Sequence, residues 1–233
     1  MTAAVSPLGL RCSNLEKRFG NFVALRRLNL EVFPGEAVAL AGHNGSGKTT
    51  LLRLAAGLTR PTAGALHIGQ GEHTAAESRA HIGFVAHQTM LYDELSAEEN
   101  LFLFANLQGI PGAAERVSAL LAEVGLAERR TSLVRTFSRG MRQRLTIARA
   151  LLHRPSLLLF DEPGTGLDAP GVIWLAATLA RLRDTGCTIV MSLHGQAELA
   201  AVATRAIRLQ AGAVAADSAS GEPIEAVLRV TES

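Results

Sequence analysis

One stretch of nine residues constrains this chain more than any other: Gly42-His43-Asn44-Gly45-Ser46-Gly47-Lys48-Thr49-Thr50. An apolar run, Ala37-Val38-Ala39-Leu40-Ala41, leads into it, and Leu51-Leu52-Arg53-Leu54-Ala55-Ala56 leads out. Strand, glycine-rich turn and helix with the spacing G-x-x-x-x-G-K-[ST] form a phosphate-binding loop. Gly42, Gly45 and Gly47 allow positive φ and a close approach of backbone to ligand. Successive N–H groups then face one concavity, and the helix adds the positive end of its dipole. Lys48 is expected to reach the β- and γ-phosphates of a nucleotide, and the Thr49 hydroxyl to ligate Mg²⁺. Only two of the 23 basic residues are lysines, Lys17 and Lys48. In a chain that otherwise uses arginine, Lys48 supplies the compact ammonium that suits a phosphate loop better than a planar fork.

A chain of 233 residues can bury a proper core as one large domain, or one domain with a sub-domain. The net charge of +2 gives no strong field to attract nucleic acid. Cys12 and Cys187 lie far apart without a C-x-x-C partner, so both are expected to be reduced core residues of a cytosolic protein. Residues 1–10 lack the charged and apolar regions of a signal peptide. No apolar run approaches the ~18 residues of a membrane span, so any passage through a membrane must come from other chains.

Strands are expected over residues 8–15 and 22–33, the second ending at Pro34-Gly35, with Lys17-Arg18-Phe19-Gly20-Asn21 as a turn between them. A buried strand over 36–41 precedes the loop, and the helix after it runs to about Ala56 and stops at Gly57. Short strands are expected at 65–68 and 82–85, separated by a polar, small-residue stretch. Ser96-Ala97-Glu98-Glu99 has the form of a capping box opening a helix with apolar residues at Leu101, Phe104, Ala105 and Leu107. Ile110-Pro111-Gly112 breaks that helix. A second runs over 113–124 and a third starts after Ser138. From 156 onward strand and helix alternate: strands at 156–160, 187–192, 204–209 and 213–216, helices at 170–183 and 196–201, and a short helix at 224–228. Apolar strands alternating with helices indicate a largely parallel, doubly wound α/β sheet.

Leu157-Leu158-Leu159-Phe160-Asp161-Glu162 is an apolar strand ending in two acids. Ligands of such sheets bind at that end. Asp161 can hold Mg²⁺ through water there, and Glu162 can polarise a water for attack on the γ-phosphate. The alternative, a strand that ends in a solvated acidic turn, loses weight because Lys48 lies upstream.

With these residues in place, nearly the whole chain resembles the ATP-binding-cassette family, the nucleotide-binding subunits of ABC transporters. Six motifs stand in the family's order. Besides the loop at 42–50 and the acidic strand at 157–162, Gln88 occupies the place of the glutamine loop. Phe137-Ser138-Arg139-Gly140-Met141 looks like the signature L-S-G-G-Q, Gly166-Leu167-Asp168 like the D-loop, and His194 like the switch histidine. Phe19 looks like the aromatic that stacks on adenine, the alternative being a turn aromatic that covers the sheet. The resemblance implies a P-loop NTPase fold: a RecA-like core with a mostly parallel sheet, an N-terminal antiparallel β sub-domain, and an inserted helical sub-domain. It implies one domain over 1–233, with the core at 1–89 and 155–233 and the helical part at about 90–154.

It further implies ATP and Mg²⁺ as ligands, with two copies, or one copy and a paralogous cassette, meeting head to tail. Lys48, Thr49 and Asp161 of one subunit and Ser138 and Gly140 of the other would hold each ATP. Gln88 would touch the metal, and Glu162 and His194 would promote hydrolysis. A transmembrane permease subunit would take up the movement, placing the chain on the cytoplasmic face of the membrane, with Leu91, Tyr92, Leu95 and Phe102 as a docking cleft. Arg139 and Met141 depart from the signature, and His43 stands where proline is common. The segment 137–144 and the short length look like small exporter-type cassettes, including those associated with haem export. A soluble cassette of translation or DNA repair is the alternative, although those usually carry two cassettes or a long coiled-coil insertion. The chain has no guanine-reading N-K-x-D of a GTPase, and a kinase would explain neither Ser138 nor His194. Eight arginines between Arg129 and Arg154, without interleaved aromatics, fit a charged helix face with partner contacts and no nucleic acid.

Overall fold

Two long antiparallel strands, β1 (Leu10–Phe19) and β2 (Phe22–Val32), turn at Gly20 and Asn21. The computed structural model describes residues 8–69, 80–86, 88–193 and 196–229. Next come β3 (Ala37–Ala41), α1 (Lys48–Ala55) and β4 (Ala63–Ile68), which pairs with β1. β5 (Ile82–Val85) precedes α2 (Ala97–Leu107), α3 (Ala113–Glu123) and α4 (Arg139–Leu151). Strand and helix then alternate through β6 (Leu157–Asp161), α5 (Ala169–Asp184), β7 (Thr188–Ser192) and the short α6 (Ala197–Ala200). β8 (Arg205–Gln210), β9 (Ala213–Asp217) and α7 (Ile224–Leu228) close the described chain.

The strands form two sheets among the described residues: antiparallel β2-β1-β4, and six-stranded β5-β6-β7-β3-β8-β9. The larger sheet is parallel from β5 to β8, and only β9 runs antiparallel. Its central strands are buried on both faces, and alternation sends their side chains to two cores. Leu158, Phe160, Ile189 and Met191 pack with residues of α2 to α5. Leu157, Leu159, Val38, Leu40 and Val190 pack with α1 and with β1 and β2. α1 is therefore sandwiched between the two sheets, which fixes the loop at its N-terminus. α7 covers β8 through Val227 over Ala206 and Ala216.

Helix boundaries follow local chemistry. Ser96 caps α2, with Glu99 N–H donating to Ser96 Oγ at 3.2 Å and Ser96 N–H to Glu99 Oε2 at 2.7 Å. Gly112, at φ 65°, separates α2 from α3. One expectation fails. The turn placed at 17–21 is mostly strand, because β1 runs on to Phe19. Asn14 adopts φ 47°, its N–H bonded to Asn29 Oδ1 at 2.8 Å, and the pairing register shifts on either side of Leu15. Such irregularities break the alternation by which a strand is recognised. β4 begins at Ala63, two residues earlier than expected, because Ala63 pairs with Glu16. β6 extends through Asp161, which is paired with Ser192. The polar stretch at 70–79 lies outside the described residues.

Candidate nucleotide-binding site

β3 ends at Ala41 and the chain turns sharply, with φ of 136° at Gly42, 79° at Gly45 and 111° at Gly47. A Cβ on Gly42 would lie 2.3 Å from the Leu209 carbonyl oxygen and 2.6 Å from Ser46 Oγ. On Gly47 it would meet Leu25 Cδ2 at 2.7 Å and the Ala24 carbonyl oxygen at 2.9 Å. These two glycines are thus required by space as well as by φ. The loop is pinned from behind: Gly212 N–H donates to Ser46 O at 3.1 Å, and Arg26 N–H to Gly212 O at 2.8 Å. Gly47 caps α1 without a side chain, leaving the helix's first N–H groups free to receive an anion. Ser46 Oγ is buried in this cradle with no hydrogen-bond partner among the described residues. His43, Asn44 and Thr49 are exposed and Thr50 is half-buried.

Lys48 folds back over the loop, its Nζ donating to Gly42 O at 2.6 Å and His43 O at 3.1 Å. Burial pulls its pKa below the ordinary lysine value, opposed by the charges of Glu162 and Asp161. Thr49 Oγ1 donates to Asp161 Oδ1 at 3.1 Å, and Ser192 Oγ donates to the same oxygen at 2.9 Å. The Glu162 N–H in turn donates to Ser192 Oγ at 2.9 Å. Glu162 sits at φ 54°, a left-handed conformation that costs a non-glycine residue about 1 kcal/mol or more. Thr165 Oγ1 reaches Glu162 Oε2 at 3.4 Å. Strain of this kind, at the C-terminal end of a central strand, is characteristic of functional positions. Thr49 and Asp161 supply hard oxygen donors that suit Mg²⁺, an ion that takes its other ligands from phosphate and water. Among the described residues no group of three or more His, Cys, Asp or Glu could cage a metal.

Ser138 caps α4, its Oγ accepting from Met141 N–H at 3.2 Å, and it is exposed. A Cβ on Gly140 would stand 3.2 Å from the Gly166 carbonyl oxygen, and the Arg139 methylenes lie directly over Gly166. The arginine that replaces the signature's first glycine therefore packs on the D-loop of its own chain. Asp168 caps α5 by accepting from Gly171 N–H at 3.0 Å. Gln88 is exposed and makes no hydrogen bond among the described residues, so it is not joined to Thr49 or Asp161. Phe19 is 53% exposed at the hairpin tip, paired with the equally open Phe22, and Lys17 Nζ lies 4.8 Å from its ring centroid. His194 lies outside the described residues.

Four supporting residues escaped the sequence reading. Ser192 bridges Asp161 and Glu162, and a lone hydroxyl at the end of an apolar strand was its only signal. Gln143 Nε2 donates to Pro163 O at 2.9 Å, tying α4 to the turn after Glu162. Arg149 donates from Nη1 to Met90 O and from Nη2 to Phe84 O, both at 3.3 Å, which ties α4 to the segment carrying Gln88. Asn100, fully buried, exchanges bonds with the Tyr92 backbone at 2.8 and 2.9 Å.

The ABC transporter family model matches residues 25–165. The Nod factor export ATP-binding protein I of Cupriavidus metallidurans is 39% identical over 225 residues, covering 94% of this chain and 72% of that protein. The L-cystine transport system ATP-binding protein TcyN of Escherichia coli is 36% identical over 225 residues, covering 91% and 90%. An ATP-binding cassette solved as a dimer in a post-hydrolysis state with ADP and phosphate superposes with a TM-score of 0.81 at 28% identity, covering 95% of this chain and all of that one. Loop, acidic strand, signature helix and sequence kinship agree: the chain belongs to the ABC transporter family, as an ATP-binding, ATP-hydrolysing cassette.

Proposed function

We propose that this cassette powers a membrane exporter, and that two copies, or one copy and a paralogous cassette, close head to tail around ATP. One observation carries the reading. Thr49 and Asp161 meet at 3.1 Å beneath the glycine cradle, while Ser138 and the open end of α4 face solvent. The half-site for the phosphates and the half-site that caps them are thus both presented outward. A second copy completes each with the other.

In this reading residues 42–50 cradle the phosphates, Lys48 swings from its carbonyl partners to the β- and γ-phosphates, and Phe19 stacks on adenine. Thr49 and Asp161 would hold Mg²⁺, whose charge would offset that of the phosphates. Ser138 and Gly140 of the partner cap the γ-phosphate with a hydroxyl and the positive end of α4. Glu162 polarises the attacking water, and His194 is the second residue that promotes hydrolysis. Gln88 reports the occupancy of the site. Residues 1–89 and 155–233 act as the core, and about 90–154 as a helical sub-domain that moves against it as a rigid body. α4 is the rod between them, because Gln143 grips the Glu162 turn and Arg149 grips the Gln88 segment. A permease subunit on the cytoplasmic face of the membrane receives that movement. Export is supported by the kinship with a Nod factor export protein, and haem is among the cargoes that the segment 137–144 suggests.

Glu162→Gln tests the site and the dimer together. Purified with ATP and Mg²⁺, it should hydrolyse at least a hundredfold more slowly and elute as a dimer on a sizing column. Wild-type turnover, or a monomer at saturating ATP, would overturn the reading.

A further inference from the structure

A cavity of about 280 Å³ opens at the opposite end of the large sheet from the glycine loop. It lies where β6 and β7 begin, between Ser156 and Cys187, whereas the loop follows the end of β3. A five-residue strand puts the two ends on the order of 16 Å apart. Three guanidinium groups line it: Arg116 of α3, Arg154 beyond α4, and Arg181 of α5. Among the described residues the single carboxylate on its wall is Glu123, and Arg181 pairs with it.

The remaining charge is not neutralised. Arg116 donates to the carbonyls of Leu151 at 2.5 Å and Leu152 at 3.0 Å, which offer partial charge only. The Arg154 side chain has no hydrogen bond or ion pair among the described residues. Burial first, and then the like charge of Arg154, pull the Arg116 pKa below the ordinary arginine value, with Glu123 opposing. Ser156 adds an independent sign. It is 3% exposed, lines the cavity, and its Oγ has no partner among the described residues. An unpaired buried hydroxyl is destabilising, and a ligand or an ordered water would recover that loss. A second cavity of about 620 Å³ shares Arg116 and Arg154 and leaves room for a larger ligand body.

We propose that this cavity binds a small phosphate-bearing molecule, held by Arg154 and Arg116 with Arg181 at its rim. Guanidinium forks match phosphate geometry, and an excess of two positive charges suits a dianion. A volume near 280 Å³ lies just below the ~300 Å³ at which drug-sized ligand sites begin, which suits a ligand as small as a phosphate-bearing fragment. The assignment does not depend on the permease or on the direction of transport, because no residue of the nucleotide loop contributes.

Inorganic phosphate is the probe, titrated calorimetrically into the chain saturated with the magnesium complex of a non-hydrolysable ATP analogue at constant ionic strength, so that the glycine loop and its γ-phosphate position are both occupied. Saturable binding is expected, weakened at least tenfold in Arg154→Glu and in the milder Arg154→Ala, with circular dichroism confirming the fold of each. Phosphate binding unaffected by either Arg154 variant, heat that never saturates, or equal affinity for succinate would each overturn the proposal.

Discussion

Gly42 and Gly45 belong to one loop and both have positive φ, but they answer to different physics. A methyl group on Gly42 would collide with a backbone carbonyl at 2.3 Å, an atom that cannot rotate away, whereas one on Gly45 meets nothing within 4 Å. Gly45→Ala should therefore cost only its φ strain, about 1 kcal/mol. Gly42→Ala adds overpacking to strain and should cost about 3 kcal/mol. Urea unfolding of the two variants measures the difference directly, and equal losses would mean that crowding by Leu209 is not what demands glycine. Lys48→Ala isolates the charge: the fold should persist, and ATP affinity should fall by at least tenfold in a fluorescent-nucleotide titration, since Lys48 is the loop's own ammonium. These residues were legible in the sequence because their roles are local to nine consecutive positions. Ser192 was not, because its role depends on β6 and β7 lying side by side, and no spacing encodes that.

At the scale of elements, one arginine adds a side-chain tie from β8 to β9 and to β2 beside the backbone ladder. Arg205 donates from Nε to Asp217 Oδ1 at 2.8 Å and from Nη2 to Oδ2 at 2.6 Å, and from Nη1 to the Glu31 carbonyl at 2.9 Å. The pair is mostly buried, with side chains 12% and 19% exposed. Hydrogen bonds from Arg205 hold the Asp217 carboxyl below the ordinary aspartate pKa, and desolvation opposes them. A carboxylate whose folded pKa is depressed stabilises the fold above the unfolded value, near 3.9, and loses that contribution as pH falls through the folded value. Asp217→Asn should cost about 2 kcal/mol at neutral pH, toward the low end for a broken buried pair because water reaches its rim. In urea unfolding the gap between variant and parent should narrow below about pH 4. A gap that persists unchanged at low pH would show that the loss is one of packing and not of charge. Elements with a chemical punctuation mark were the readable ones: Ser96 and Ser138 each cap a helix that starts where the sequence indicates, and Asp168 caps one that starts a residue earlier than expected. β1 lacked one, because its bulge at Asn14 is satisfied by Asn29, fifteen residues away.

In the whole molecule, the turn after Glu162 and the surface around Tyr92 are joined through α4. Thr146 Oγ1 bonds Thr89 O at 3.3 Å and Arg149 holds Met90 O, so the segment after β5 moves with the helix that Ser138 caps. Asn100 then fixes the next turn by grasping the Tyr92 backbone, which leaves the Tyr92 ring 54% exposed beside Phe104 at 6.2 Å. Leu91 and Phe102 are half-buried against the core, so only part of this patch is free to meet another chain. Under the proposed function, this exposed aromatic, on a turn tied to the helix that Ser138 caps, is the point at which closure would pass to a permease. Leu91→Glu with Tyr92→Glu should introduce two charges into that contact and abolish it, since like-sized desolvation penalties exceed what a modest interface can recover. With a tagged chain expressed in its own cells, the parent should sediment with the membrane fraction and the double variant should stay in the supernatant. Both should bind ATP equally, because no altered residue touches the loop or Asp161. If the double variant still sediments with membranes, the exposed ring of Tyr92 is not the point of attachment, and the movement of α4 must leave the cassette by another face.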